Sequence, residues 1–229
     1  MYSPSRAPSG RTPFLALGLV CAALSVVLLV LVAVRWSPLM SLDGRLADAL
    51  HRSAVTEPGL VHVNRVLTDW VWDPWTMRAL TAVTVVVLWW RGARLLAGWV
   101  AATSLFATLL QQGLKAAVGR ERPRWPDPVD SAHYAAFPSG HAMTAAVTCG
   151  LLMWLLRLHG AHAPVWWASL ALAVISVAGV SLTRLYLGVH WLSDVVGGVM
   201  LGGAVVALSV AGYTAYTARR AAGGADAPL

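Results

Sequence analysis

Six apolar stretches, each of about the length that crosses a bilayer as a helix, leave this 229-residue chain few ways to fold. They run Phe14–Val34, Pro74–Trp90, Leu95–Leu114, His141–Leu158, Pro164–Thr183 and Val195–Tyr216. Where no water can reach the backbone, every N–H and C=O must be satisfied within the segment, so such stretches form helices. With 58% hydrophobic and only 12% charged residues, and a mean hydropathy of +0.64, the chain does not suit a soluble domain. The expected fold is all-α: a polytopic six-helix membrane bundle over residues 13–217, between flexible tails at 1–12 and 218–229 rich in Ser, Pro, Gly and Ala.

Local features refine these spans. Arg78 lies inside the second, so that helix is expected to start later or to tilt. The first follows Arg6 and Arg11 but is longer than a signal-peptide apolar region and lacks a small-residue cleavage site, which makes it an uncleaved anchor. Ten of the twelve tryptophans fall near span ends, where an amphipathic ring suits the headgroup zone. Cys21 and Cys149 sit within apolar spans as small buried residues, neither metal ligands nor a disulfide. The net charge of +7 has no soluble basic domain through which to engage nucleic acid, and juxtamembrane arginines account for it. Between the first two spans, residues 37–72 are expected to hold two short helices that would suit the membrane surface or the rim of a site, or pack against the bundle. One is capped at Ser41 and carries Leu42, Leu46 and Leu50; the other opens at Pro58 and carries Val63, Val66, Leu67 and Trp70.

Ionisable groups near membrane depth are costly, so those that persist there are candidates for function. They fall in three clusters: Lys115 to Arg122-Pro123 after the third span, Pro138-Ser139-Gly140-His141 before the fourth, and Thr183-Arg184 to His190 and Asp194 between the fifth and sixth. Counting crossings puts all three on one membrane face. Lys115, the only lysine among seventeen basic residues, would there meet Arg122 and Arg184. Three cations so placed repel unless an anion with several oxygens lies between them, and phosphate is such an anion. Ser139-Gly140 before a helix offers backbone N–H groups and a hydroxyl to the same anion. His190 and Asp194, four apart, lie on one face if the sixth helix starts near His190; the carboxylate can then hold one imidazole nitrogen protonated and leave the other as a nucleophile.

The patterns K-x6-R-P, P-S-G-H and S-R-x5-H-x3-D, in this order, resemble the three-part signature of the type 2 phosphatidic acid phosphatase superfamily, which embraces lipid phosphate phosphatases and the vanadium haloperoxidases. The match covers residues 115–194, with Thr183 in place of the usual serine, a change that keeps the hydroxyl. The resemblance implies that His190 attacks phosphorus, Asp194 orients it, and His141 protonates the leaving oxygen. Lys115, Arg122, Ser139, Gly140 and Arg184 would hold the phosphate oxygens, without a metal or other cofactor. His51, His62, His133, His159 and His162 have no part in the signature.

Charge counts do not orient the bundle. The face opposite the motifs carries seven basic residues and the motif face ten, which become seven once Lys115, Arg122 and Arg184 are set aside. The resemblance implies an active face outside the cytoplasm, both termini inside, and a plasma-membrane location. The expected partner is a lipid phosphate whose tail stays in the membrane: phosphatidic acid, phosphatidylglycerol phosphate or a polyprenyl diphosphate. The rival readings are a vanadate-dependent haloperoxidase-like oxidoreductase and a non-catalytic lipid or anion transporter. The sequence is silent on oligomeric state.

Overall fold

A computed structural model describes the backbone of residues 11–225; residues 1–10, most of the expected N-terminal tail, and residues 226–229 lie outside the description. The described chain is helical, with no strand: α1 (Arg11–Ala33), α2 (Ser37–Thr56), α3 (Pro58–Val66), a π-helical turn (Leu67–Val71), α4 (Pro74–Trp90), α5 (Arg94–Val118), α6 (Gly140–Leu158), α7 (Ala163–Tyr186) and α8 (Leu192–Ala225). Among these residues five helices, α1 and α5 to α8, are long and apolar enough to cross a membrane. The sixth expected span, α4, has 17 residues, about 25 Å at 1.5 Å per residue, a little under the ~30 Å hydrocarbon core. The expected count of six is therefore approximate.

Helix starts follow local chemistry. Asp73 caps α4 by accepting from the N–H groups of Trp75 and Thr76 at 2.8 and 3.2 Å, so this helix begins at Pro74 in spite of Arg78. Arg78 lies near that end, with its guanidinium 5.4 Å from the Trp75 ring centre. Helix α2 starts at Ser37 with proline in its first turn, four residues before the expected cap at Ser41. Only Leu46 and Leu50 of its leucine stripe pack inward, against Ala142, Leu185 and Val195; Leu42 is exposed. On α3 and the turn after it most of the expected stripe faces outward: Val63, Val66 and Trp70 are exposed, Leu67 is half-buried and Val61 is buried. Helix α8 continues to Ala225, through residues expected to be tail.

α6 is the central helix, in contact with α4, α5, α7 and α8, while α1 lies along α8. The core joins Met143, Val147 and Leu151 of α6 to Val100 of α5 and Val206 and Val210 of α8. Leu17, Val20, Leu24 and Val27 of α1 and Leu172, Val174 and Ile175 of α7 are exposed, as lipid-facing helix surfaces require. Polar side chains are bonded between helices inside this apolar frame. Ser209 Oγ lies 2.6 Å from Thr103 Oγ1 and accepts from Trp99 Nε1 at 2.9 Å.

Candidate active site

The three charged clusters meet at one end of the bundle. Lys115 stands in the last turn of α5, which closes at Gly119, and Arg122 follows in the loop to α6. Ser139 precedes α6 and His141 lies in its first turn; Arg184 is in the last turn of α7, and His190 and Asp194 bracket the start of α8.

His190 is 2% exposed and held from both sides. Its Nδ1 lies 3.3 Å from Asp194 Oδ2, which also accepts from the Trp191 N–H at 2.9 Å. The pair meets across the junction into α8, since the helix starts at Leu192 and not at His190. With a proton on Nδ1 directed to the carboxylate, Nε2 carries the lone pair, and Arg122 Nη1 donates to it at 3.1 Å. Burial, then the cations Arg122, Arg184, Lys115 and Arg120, push the His190 imidazolium well below its ordinary range, so the ring is neutral at neutral pH.

Arg122 is fixed by main-chain carbonyls. Its Nε donates to Tyr134 O at 2.9 Å, Nη2 to His133 O at 3.2 Å and Nη1 to Val189 O at 2.6 Å. Burial and the nearby Arg184 lower its pKa to about 10, which leaves it charged at neutral pH. The Lys115 ammonium donates to Ala135 O, so one stretch of loop holds both cations by its carbonyl oxygens. Arg184, 5% exposed, donates through Nη1 to Thr68 Oγ1 of the π-helical turn at 3.4 Å. Arg184 Nε and Ser139 Oγ are both buried and have no acceptor among the described residues. A buried donor left unmatched costs about 1–3 kcal/mol, and an anionic ligand at this end of the bundle would match both. The first turn of α6 adds the N–H groups of Gly140, His141 and Ala142, which have no intrahelical acceptor. His141 is partly exposed, and its ring makes no hydrogen bond within the described protein.

Backbone packing sets these distances. The Ser139 N–H donates to Asp194 O at 2.9 Å, which ties the start of α6 to the start of α8. That approach is possible because Gly198 has no side chain: a Cβ there would stand 2.6 Å from Ser139 O. Gly188, at φ +67°, turns the chain under Trp125, whose Nε1 donates to Gly188 O at 3.0 Å. Trp125 in turn stacks on His51 at 4.0 Å, and His51 Nε2 is 3.0 Å from Asp127 Oδ1, so this histidine frames the site. His133 contributes only its carbonyl. Thr183 Oγ1 donates to Val180 O within its own helix at 2.8 Å.

Two charged residues outside the expected set belong to this arrangement. Arg120 Nη1 donates to Asp194 Oδ1 at 2.5 Å and Nη2 to Asp43 Oδ2 at 2.7 Å. Arg120 lies within the first motif, and its position between Lys115 and Arg122 was the available signal; Asp43, on a surface helix, gave none. Among the described residues, no group of three or more His, Cys, Asp or Glu side chains is arranged to hold a metal ion.

A helical membrane bundle with a buried histidine–aspartate pair and a cationic cradle at one end defines the general class. The sequence profile of the PAP2 superfamily matches residues 95–218, and the chain belongs to that family. It is 36% identical over 98 residues to phosphatidylglycerophosphatase B of Bacillus subtilis (strain 168), a match spanning 41% of this chain and 46% of that relative. The chain thus aligns with under half the length of this curated relative. The fold is similar to the crystal structure described as the first transmembrane PAP2 type phosphatidylglycerolphosphate phosphatase, from Bacillus subtilis. There the TM-score is 0.73 at 22% identity, covering 86% of this chain and 94% of that one.

Proposed function

We propose that this chain is a membrane phosphatase that releases phosphate from a lipid phosphate ester through a phosphohistidine intermediate. The reading is carried by His190, fixed between Asp194 and Arg122, at the end of the bundle where Ser139 Oγ and Arg184 Nε are buried with no acceptor among the described residues. Nε2 attacks phosphorus, the bond from phosphorus to the lipid oxygen breaks, and His141 gives that oxygen a proton. Water then attacks the phosphohistidine, His141 takes the proton back, and the P–N bond breaks to release inorganic phosphate. Lys115, Arg122 and Arg184, with the α6 N–H groups, stabilise charge on the equatorial oxygens, so the step needs no metal or cofactor.

A site at the end of the bundle suits a substrate whose tails remain in lipid. Phosphatidic acid, phosphatidylglycerol phosphate and polyprenyl diphosphates all fit, and the Bacillus subtilis relative makes phosphatidylglycerol phosphate the first to assay. The active end is assigned to the extracytoplasmic side of the plasma membrane, as the family resemblance implies.

The test is phosphate release by purified protein in liposomes, against a panel of these lipids, with excess chelator present. Release from at least one lipid, inhibited by vanadate and abolished by His190→Ala, is expected. No release from any of them, or activity that returns only with added magnesium, would overturn the reading.

A further inference from the structure

The proposed nucleophile is part of a longer buried chain of charges. Asp194 is fully buried and each of its oxygens is committed: Oδ2 to the Trp191 N–H and His190 Nδ1, Oδ1 to Arg120 Nη1. Arg120 then reaches Asp43 on α2, which is 1% exposed and also accepts from Ser193 through its N–H at 2.9 Å and its hydroxyl at 2.5 Å. The Arg120 guanidinium lies 5.6 Å from the Trp191 ring centre, beside the same junction. Buried ion pairs are poor sources of stability, and Leu46 and Leu50 already dock α2 against the bundle through apolar contact. Holding α2 in place therefore does not account for three buried charges.

We propose that Arg120 and Asp43 are positioning residues: Arg120 bridges the two carboxylates, fixes the rotamer of Asp194 and so aims the His190 ring, with α2 as the outer anchor. This rests on His190 being the nucleophile. The groups facing His190 are Lys115 of α5, Arg120 and Arg122 of the following loop, His141 of α6, Arg184 of α7 and Asp194 of α8, with Asp43 of α2 behind Arg120. Arg120 is the cation that offsets the Asp194 carboxylate. Its removal leaves that carboxylate free to favour the imidazolium, and the proton affinity of His190 rises.

Arg120→Gln alone strands two buried carboxylates and endangers folding. Arg120→Gln combined with Asp43→Asn removes one charge of each sign and keeps the cluster's net charge. Arg120→Lys keeps the charge but loses the planar fork that bridges two acceptors. Histidine-labelled protein in micelles gives the His190 midpoint by 15N NMR, its signal assigned by loss in His190→Ala; phosphate release from a lipid phosphate gives kcat and KM.

In the double variant the His190 midpoint should rise by about one unit or more, and kcat should fall at least about tenfold with KM within about threefold. Arg120→Lys should hold the midpoint and lose kcat several-fold. A role limited to stability would lower the folded fraction and leave the midpoint and the per-molecule kcat as in the wild type. That result, or full kcat in Arg120→Lys, overturns the proposal. A midpoint that moves in protein hydrolysing no lipid phosphate would sustain the bridge and remove the phosphatase reading.

Discussion

Replacing Gly198 by alanine tests whether the close approach of α8 to α6 sets the geometry of the site. The added Cβ would stand 2.6 Å from Ser139 O and 3.2 Å from Met143 N, both backbone atoms that no side-chain rotation can clear. Ordinary contact begins at 3.4 Å, so the helices must part by about 0.8 Å at that point. Overpacking of this kind costs about 1–3 kcal/mol of stability, which a bundle of this size should survive. The catalytic loss should be larger in proportion. Gly198 is one turn beyond Asp194, and the strain falls on the Ser139–Asp194 hydrogen bond that sets the His141 end of the site against His190. A misplacement near 1 Å costs about 100-fold in rate, equivalent to about 2.7 kcal/mol of transition-state stabilisation. Turnover of a lipid phosphate at saturation should therefore fall about 10- to 100-fold in Gly198→Ala. Gly203→Ala, on the same helix with nothing within 4 Å of the new methyl, should behave as wild type. Wild-type turnover in Gly198→Ala, or equal losses in the two variants, would refute the reasoning.

Under conditions where chemistry limits the rate, His141→Ala should lose far more activity on an alkyl lipid phosphate than on an aryl phosphate, whose leaving group needs no proton; His190→Ala should lose both, and equal His141→Ala losses would remove the acid role. Lys115→Arg should lower turnover strongly in phosphate-release assays, because a planar fork does not reproduce a compact ammonium. Because burial and four cations depress the His190 pKa, the acidic limb of kcat/KM should lie well below the ordinary imidazole value of 6.5, once the substrate's own ionisation near about pH 6 is allowed for. The same shift makes stability greatest above about pH 6.5, where neither folded nor unfolded chain protonates this histidine, and reduces it as pH falls and only the unfolded chain takes up the proton; thermal melts against pH would check the sign. Single cysteines introduced near Asp127 and near His159 should label from opposite sides of the membrane, with His159 and both termini cytoplasmic.

Much of the bundle could be read from composition because a bilayer allows so few backbone solutions. The expected span Leu95–Leu114 lies within α5, and Val195–Tyr216 within α8. Boundaries were harder to read. Apolar periodicity does not register that an aspartate caps α4 before Arg78, or that α8 runs on through residues expected to be tail. The direction of the α3 stripe was open in the sequence for the same reason: in a membrane protein an apolar face can turn to lipid as readily as to the core, and here Val63, Val66 and Trp70 turn outward.

The sequence by itself determined the class of fold, the three charged clusters and their common membrane face, since each rests on local composition and on the parity of crossings. The signature singled out Arg122, but only the tertiary structure gave the arginines of Arg120-Glu-Arg122-Pro-Arg124 their separate tasks. One bridges Asp194 and Asp43, the next caps the lone pair of His190, and the third is exposed beside Glu121. No periodicity separates three alternate arginines in a loop. Their roles follow from which carboxylate or carbonyl each can reach once α2, α6 and α8 have packed, and Arg120 and Asp43 lie 77 residues apart in the chain.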